Sequence, residues 1–213
     1  MPPGSYRLYA RRGAGSLAPQ MLLEEIGAAY ELVWVGKEPA EIDALRRISP
    51  AGKIPVLVLP DGTVISESAA ILIHLTNMHP AAALAPAAGS SAHARFLQWM
   101  VYLSANAYEA LLRFFYPQRY SAAGEAVAAQ IKTQALADWT GHLETVHAAL
   151  SPYVLGPALS AADHYLYMLA SWYPPEEEST LAARLPKLRQ HAELMRQRPA
   201  TRKAEKDHDD STA

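Results

Sequence analysis

The 213-residue chain contains no cysteine. That absence excludes a disulfide scaffold, thiolate-held zinc, iron–sulfur clusters and a cysteine nucleophile. Nor is there an excess of either charge: 19 Lys and Arg stand against 21 Asp and Glu, a formal net charge of −2. Binding to a phosphate backbone needs a basic surface, so nucleic acid is not an expected partner. Long apolar runs are missing too; a stretch such as Ala69–Leu75 falls far short of the ~20 residues that span a bilayer. The first residues, Met1–Gly13, offer no apolar core for a secretory signal, so a cytoplasmic location away from membranes is expected. The eight histidines form no His-Glu-x-x-His; His74/His79 and His142/His147 are five apart, off a shared helical face, and no metal site is expected.

What is present is an ordinary globular balance, 50% apolar and 19% charged, on a chain between one and two domains long at roughly 150 residues each. Tyr6–Ala10 reads as a strand, and Leu17, Met21, Leu22 and Ile26 recur at helical spacing until Gly27. Residues 30–35 read as a second strand, and 39–48 as a weaker helix ending at Ser49-Pro50. Lys53–Leu59 and Thr63–Ile65 flank Pro60-Asp61-Gly62, a hairpin signal, and a helix runs on from Ser66 to Leu75. Residues 1–79 therefore form an α/β unit with a mixed sheet. Residues 80–92, small and bracketed by prolines, read as a linker. Residues 93–115, 125–150, 160–172 and 181–197 carry only helical periodicity, so 93–200 reads as an all-α bundle. Residues 201–213 are polar, and a fraying tail is expected there.

Four stretches carry possible chemistry. Pro55 cannot donate to a sheet ladder and belongs at an edge or bend; a cis bond after Ile54 would turn main-chain groups outward towards an extended ligand. Ser66-Glu67-Ser68 stands at a helix start, where unpaired N–H groups favour a carboxylate and Glu67 can take an ammonium; the plainer reading is a cap. Gly13-x-Gly15 lacks the third glycine of a dinucleotide fingerprint. Ser16, where the first helix opens, can cap it through the Ala18 N–H, the commoner use, or donate to an anion. Ser160-Ala-Ala-Asp163 reads as a capping box, a structural role.

In order and spacing, these motifs resemble the cytosolic glutathione S-transferases across roughly residues 6–200. The resemblance rests on strand-turn-Ser16-helix, Gly52-Lys53-Ile54-Pro55-Val56-Leu57, Asp61-Gly62, Ser66-Glu67-Ser68-Ala69-Ala70-Ile71, the Ala/Pro linker and Gly156-x-x-x-Ser160-x-x-Asp163. It implies a thioredoxin-like N-terminal domain that binds glutathione, an all-α C-terminal domain that supplies most of the electrophile pocket, and a homodimer. By the same resemblance, Pro55 is the cis-proline, the Ile54 backbone pairs with the cysteinyl unit, Glu67 and Ser68 hold the γ-glutamyl end, and Lys53 lies close by.

Leu8-Tyr9…Gly13-Ala14-Gly15-Ser16-Leu17-Ala18-Pro19 is most similar to the bacterial beta class, and the chain departs from that class at four positions. Ala10 stands for a tyrosine, Gly15 for the active-site cysteine, and Val101 and Tyr108 for an asparagine and a histidine. Beta-class cysteine chemistry is therefore absent. Ser16 remains, in a stretch that also resembles the bacterial β-etherase transferases, as the candidate donor to the glutathione thiolate. Backbone N–H groups near Gly15, or Arg11 and Arg12, are its alternatives. Tyr108, Tyr102, Asn106 and Tyr116 are candidate contacts for the electrophile. The implied activity is attack of the bound thiolate on a small apolar electrophile, a detoxification chemistry. A catalytically silent binding or interaction module, or a glutathione-dependent isomerase or etherase, are the rival readings.

Overall fold

A computed structural model describes residues 4–174 and 181–209. The chain folds into two compact units: one runs to Ala85 and takes in the chain from Leu194 onward, and the other is Pro86–Glu193.

The first unit is built on a four-stranded sheet of order β2-β1-β3-β4. Strand β1 (Tyr6–Ala10) lies parallel to β2 (Tyr30–Trp34) and antiparallel to β3 (Val56–Val58), which pairs antiparallel with β4 (Val64–Ser66). Asp61-Gly62 closes the β3–β4 hairpin as expected, with the Thr63 N–H on the Asp61 carboxylate at 2.8 Å. Pro55 does not sit on an edge. It precedes β3, an interior strand, and takes no place in the ladder, so its missing N–H costs no sheet bond. Helix α1 (Leu17–Ile26) ends at Gly27, whose φ of 66° is the left-handed stop that glycine adopts cheaply. Helix α2 (Pro39–Arg46) brings Leu45 onto Val35 and Val56, with Tyr9, Ile48 and Ile54 packed around them. The alternate β1 residues Tyr6, Leu8 and Ala10 are buried on the opposite face. Helix α3 is Ser68–Met78, two residues later in its start than the periodicity predicts and three longer at its end.

In the second unit, α4 (Ser91–Tyr102) begins inside the expected linker because the Ser90 hydroxyl accepts the His93 N–H. The expected helix over 93–115 is interrupted by a π-helical turn at Leu103–Ala107 before α5 (Tyr108–Phe115). Helix α6 (Glu125–Ala149) and α7 (Ala161–Ser171) complete a core in which Phe96, Met100, Leu103, Trp139, Leu143, Tyr165 and Leu166 are almost fully buried. Asp163 is the polar centre of this unit. One carboxylate oxygen takes the Ser160 N–H and hydroxyl at 2.8 Å each, the capping box expected. The other takes the Val154 N–H at 2.8 Å and faces His191 Nε2 at 3.1 Å, from α8 (Pro186–Arg196). The sequence pattern reveals the cap but neither of the two long-range partners.

The tail corrects an expectation. Pro199–Asp209 form a further helix, α9, which packs on α1 within the first unit, with Ala200, Thr201, Ala204 and His208 buried. Gln20 donates to Asp207 at 2.8 Å, Arg198 makes a two-pronged pair with Glu25, and the His208 ring meets Trp34 edge-on at 5.1 Å. Residues 210–213 of the expected tail lie outside the described residues.

Both buried polar centres can be tested. Asp163→Ala unpairs several buried donors at once, so it should lower unfolding free energy by about 3–5 kcal/mol, beyond the ~0.5–2 of a lost cap. Urea titration checks this, and a loss within the cap range would remove Val154 and His191 from the account. The second centre is His208. Burial first, then the nearby Arg12 charge, lowers its pKa from 6.5 to about 4, against the opposing pull of Asp207 and Asp209. The unfolded chain then takes up the proton more readily, so stability is full above pH ~6.5 and falls as pH drops towards 4. Between pH 7 and 4.5, wild type should lose on the order of 2 kcal/mol more than His208→Gln by chemical denaturation at each pH.

Candidate functional site

Strand register brings the expected site residues of the first unit to one end of the sheet. Tyr9 pairs with Val56, and Val56 with Ser66. One step beyond that row, β1 leads through Ala10 into the turn before α1, β3 is entered from Pro55, and β4 passes through Glu67 into α3. The N-termini of α1 and α3 therefore lie at the same end. A direct bond ties them: the Ser68 hydroxyl donates to the Gly15 carbonyl at 3.1 Å, buried.

The Ile54–Pro55 bond is cis. Pro55 is buried, Ile54 half-buried against the Val35–Leu45–Val56 cluster, and Lys53 exposed. Glu67 has φ 70° and ψ 117°, a backbone conformation that costs a residue with a side chain about 1–3 kcal/mol and that concentrates at functional sites. Its carboxylate is exposed and does not cap α3, while its carbonyl accepts the Ile71 N–H. The plainer reading of Ser66–Ser68 as a side-chain cap therefore does not hold. The first-turn N–H groups of α3 therefore carry no side-chain cap.

Ser16 is placed differently from either role the sequence suggests. It is fully buried and makes no cap; its backbone is already helical at φ −74°, and Leu17 N–H turns back to the Ala14 carbonyl. Its oxygen accepts the Arg11 N–H, and its hydroxyl donates to the Arg11 carbonyl, both at 3.1 Å. The Arg11 guanidinium is equally committed, holding the carbonyls of Val35 at 3.0 Å and Gly36 at 2.6 Å. The Arg12 guanidinium lies over the Trp34 ring, 4.7 Å from its centre. The arginine pair thus serves the end of β2. Its role is invisible in sequence because Val35 and Gly36 offer main-chain oxygens, which no side-chain pattern reveals.

The candidate residues of the helical unit point to different neighbours. The Tyr102 hydroxyl and His142 Nδ1 share a hydrogen bond of 2.9 Å. Burial lowers the His142 pKa, with Asp138 and Glu109 opposing and Arg113 reinforcing that shift, so the imidazole is neutral at neutral pH. Asn106 donates back to the Tyr102 carbonyl at 3.3 Å. Tyr116 lies under the Arg119 guanidinium at 3.9 Å. Tyr108 packs with Tyr165 and Trp172, ring centres 6.3 and 6.0 Å apart. Of these four side chains, Tyr102 faces α6 and Tyr108 faces α7. Trp172 and His142 are neighbours that sequence reasoning misses. Among the described residues no three His, Asp or Glu side chains are grouped to hold a metal ion, and no helix is long and apolar enough to cross a membrane.

Comparison with known proteins agrees with this geometry. Residues 16–78 match the glutathione S-transferase N-terminal domain, and residues 106–204 match the glutathione S-transferase C-terminal domain. A sphingomonad glutathione S-transferase, solved in complex with glutathione, is 32% identical, with a TM-score of 0.80 over 95% of this chain and 98% of that one. A glutathione transferase homologue from Sulfitobacter with bound glutathione has a TM-score of 0.86 at 25% identity over the same shares. The glutathione S-transferase GstA of Escherichia coli O157:H7 is 27% identical over 171 residues, 78% of this chain and 81% of GstA. A mixed sheet with two helix N-termini and a cis-proline at one end, and an α-helical unit after it, thus occur together with matches to both domains: the chain belongs to the glutathione S-transferase family.

Proposed function

We propose that the protein binds glutathione at the α1–α3 end of its sheet and transfers it to a small apolar electrophile. The observation that carries this reading is the meeting of two helix N-termini beside cis-Pro55, tied by the Ser68–Gly15 bond, in a member of this family. Glutathione is an extended peptide with two carboxylates, an ammonium and a thiol. The first-turn N–H groups of α3 suit its γ-glutamyl carboxylate. The exposed Glu67 carboxylate suits its ammonium, and the Ser68 oxygen, whose proton is used on Gly15, retains lone pairs to accept from it. The main chain of Ile54, ahead of Pro55, suits the cysteinyl unit, with Lys53 beside it as a countercharge.

A free thiol ionises near pH 8.5, so turnover at neutral pH asks only for donors that favour the thiolate. Such a site performs its chemistry without a covalent enzyme intermediate: the sulfur lone pair forms the new bond, and the leaving group or the activated carbon takes the electrons. We assign the electrophile's contacts to the helical unit, with Tyr108, Tyr102, Asn106 and Tyr116 as candidates. The Tyr108–Tyr165–Trp172 cluster favours Tyr108, since aromatic faces accept flat apolar molecules. We further propose a homodimer acting in the cytoplasm. The departures at Gly15, Ala10 and Tyr108 favour a silent binding module as the second reading, because they remove the side chains on which beta-class chemistry relies.

Glu67→Ala should weaken glutathione binding by about ten- to a hundredfold, the worth of a charge-assisted hydrogen bond, by titration calorimetry. Unchanged affinity in a folded variant would remove Glu67 from the site. Steady-state turnover with an activated aryl halide separates the two readings: binding without turnover across a panel of electrophiles leaves the silent module.

A further inference from the structure

Ser16 is the residue on which sequence reasoning and geometry part, and the difference assigns it a role. The hydroxyl carries one proton, and that proton lies on the Arg11 carbonyl. The oxygen also accepts the Arg11 N–H, so the side chain closes a ring on the main chain of the residue where the turn begins. Turning to a ligand sulfur would break both bonds and leave a donor and an acceptor of Arg11 unpaired around a fully buried side chain. Three further restraints converge on the same short turn. The Arg11 guanidinium anchors it to the Val35 and Gly36 carbonyls, Arg12 stacks on Trp34, and Ser68 holds the Gly15 carbonyl. Ser16 and Ser68 thus both donate their protons to this turn.

We infer that Ser16 is a positioning residue: together with Arg11 it fixes the Arg11–Ser16 turn, and it acts on bound glutathione only through the main chain of that turn, not through its hydroxyl. The inference rests on glutathione occupying the proposed site. It differs from the direct-donor role by predicting that a side chain bonded to main-chain carbonyls at the end of β2 matters as much as Ser16 itself. That side chain is Arg11, whose guanidinium is occupied by two carbonyls at the end of β2.

The test compares Ser16→Ala and Arg11→Gln with wild type by glutathione titration calorimetry and by ultraviolet titration of the bound thiolate. Both variants should weaken glutathione binding by a similar factor, roughly tenfold for one lost anchor, and should shift the thiolate pKa equally. A rise of a unit or more in Ser16→Ala alone, with Arg11→Gln unchanged, makes the hydroxyl a direct donor and overturns the inference. Lowered melting temperatures with affinity and thiolate pKa at wild-type values overturn it too, since the role is then only structural. Should Ser16→Ala not fold, Arg11→Gln decides alone: weakened binding supports positioning, and wild-type binding refutes it. Absence of glutathione binding by the wild-type chain overturns the proposed function itself, a result distinct from all of these.

Discussion

Two hydrogen bonds between the Ser16 hydroxyl and the Arg11 main chain close the turn between β1 and α1, and much of the site's geometry depends on that closure. With the turn fixed, the axis of α1 is set relative to the sheet, and Gly15 presents its carbonyl where Ser68 can reach it. The α3 start is thereby registered against the α1 start, and the strained backbone of Glu67 sits between them. Strain of this size persists only where its surroundings over-determine it. Here the β3–β4 ladder on one side and the Ser68–Gly15 bond on the other supply that constraint.

The same economy appears at the back of α1. Helix α1 is covered on more than one side, by α9 and by α3, and its Ala18, Met21 and Leu22 have no exposure at all. Helix α9 packs on α1, and its sequence is polar enough to look like solvent-exposed tail because only one narrow stripe is buried. Gln20 bridges Tyr30 and Asp207, while Tyr30 donates to Glu24 at 2.5 Å. Burial and that carboxylate both push the Tyr30 hydroxyl pKa up, so it remains a donor. Helix α9 and the sheet thus share one unit, and burial there favours the neutral imidazole of His208.

In the helical unit, Asp163 plays an analogous part. A buried carboxylate is costly unless its oxygens are satisfied, and here they meet two main-chain N–H groups, a hydroxyl and an imidazole. The loop before α7 and helix α8 are held to the same two atoms. This couples segments far apart in sequence through one side chain.

Local periodicity and turn chemistry in the sequence by themselves determined the β-α-β-α-β-β-α order, the Asp61-Gly62 hairpin, the Gly27 stop, the Ser160–Asp163 cap and the all-helical character of the second unit. These features depend on residues within a few positions of one another, and their physics is complete at that range. Tertiary structure alone decided the rest. Pro55 lies at an interior strand because sheet order is set by packing, not by its missing N–H. Thr201–Asp209 are helical because α1 supplies the apolar surface that a mostly polar sequence cannot supply for itself. Tyr102 turns to His142 and Tyr108 to Trp172 because a π-helical turn separates them and resets the helical face. Above all, the partners of Ser16 and Arg11 are carbonyls and an amide of the main chain. Every residue type carries a carbonyl and nearly every one an amide, so only folding decides which of them a given side chain meets.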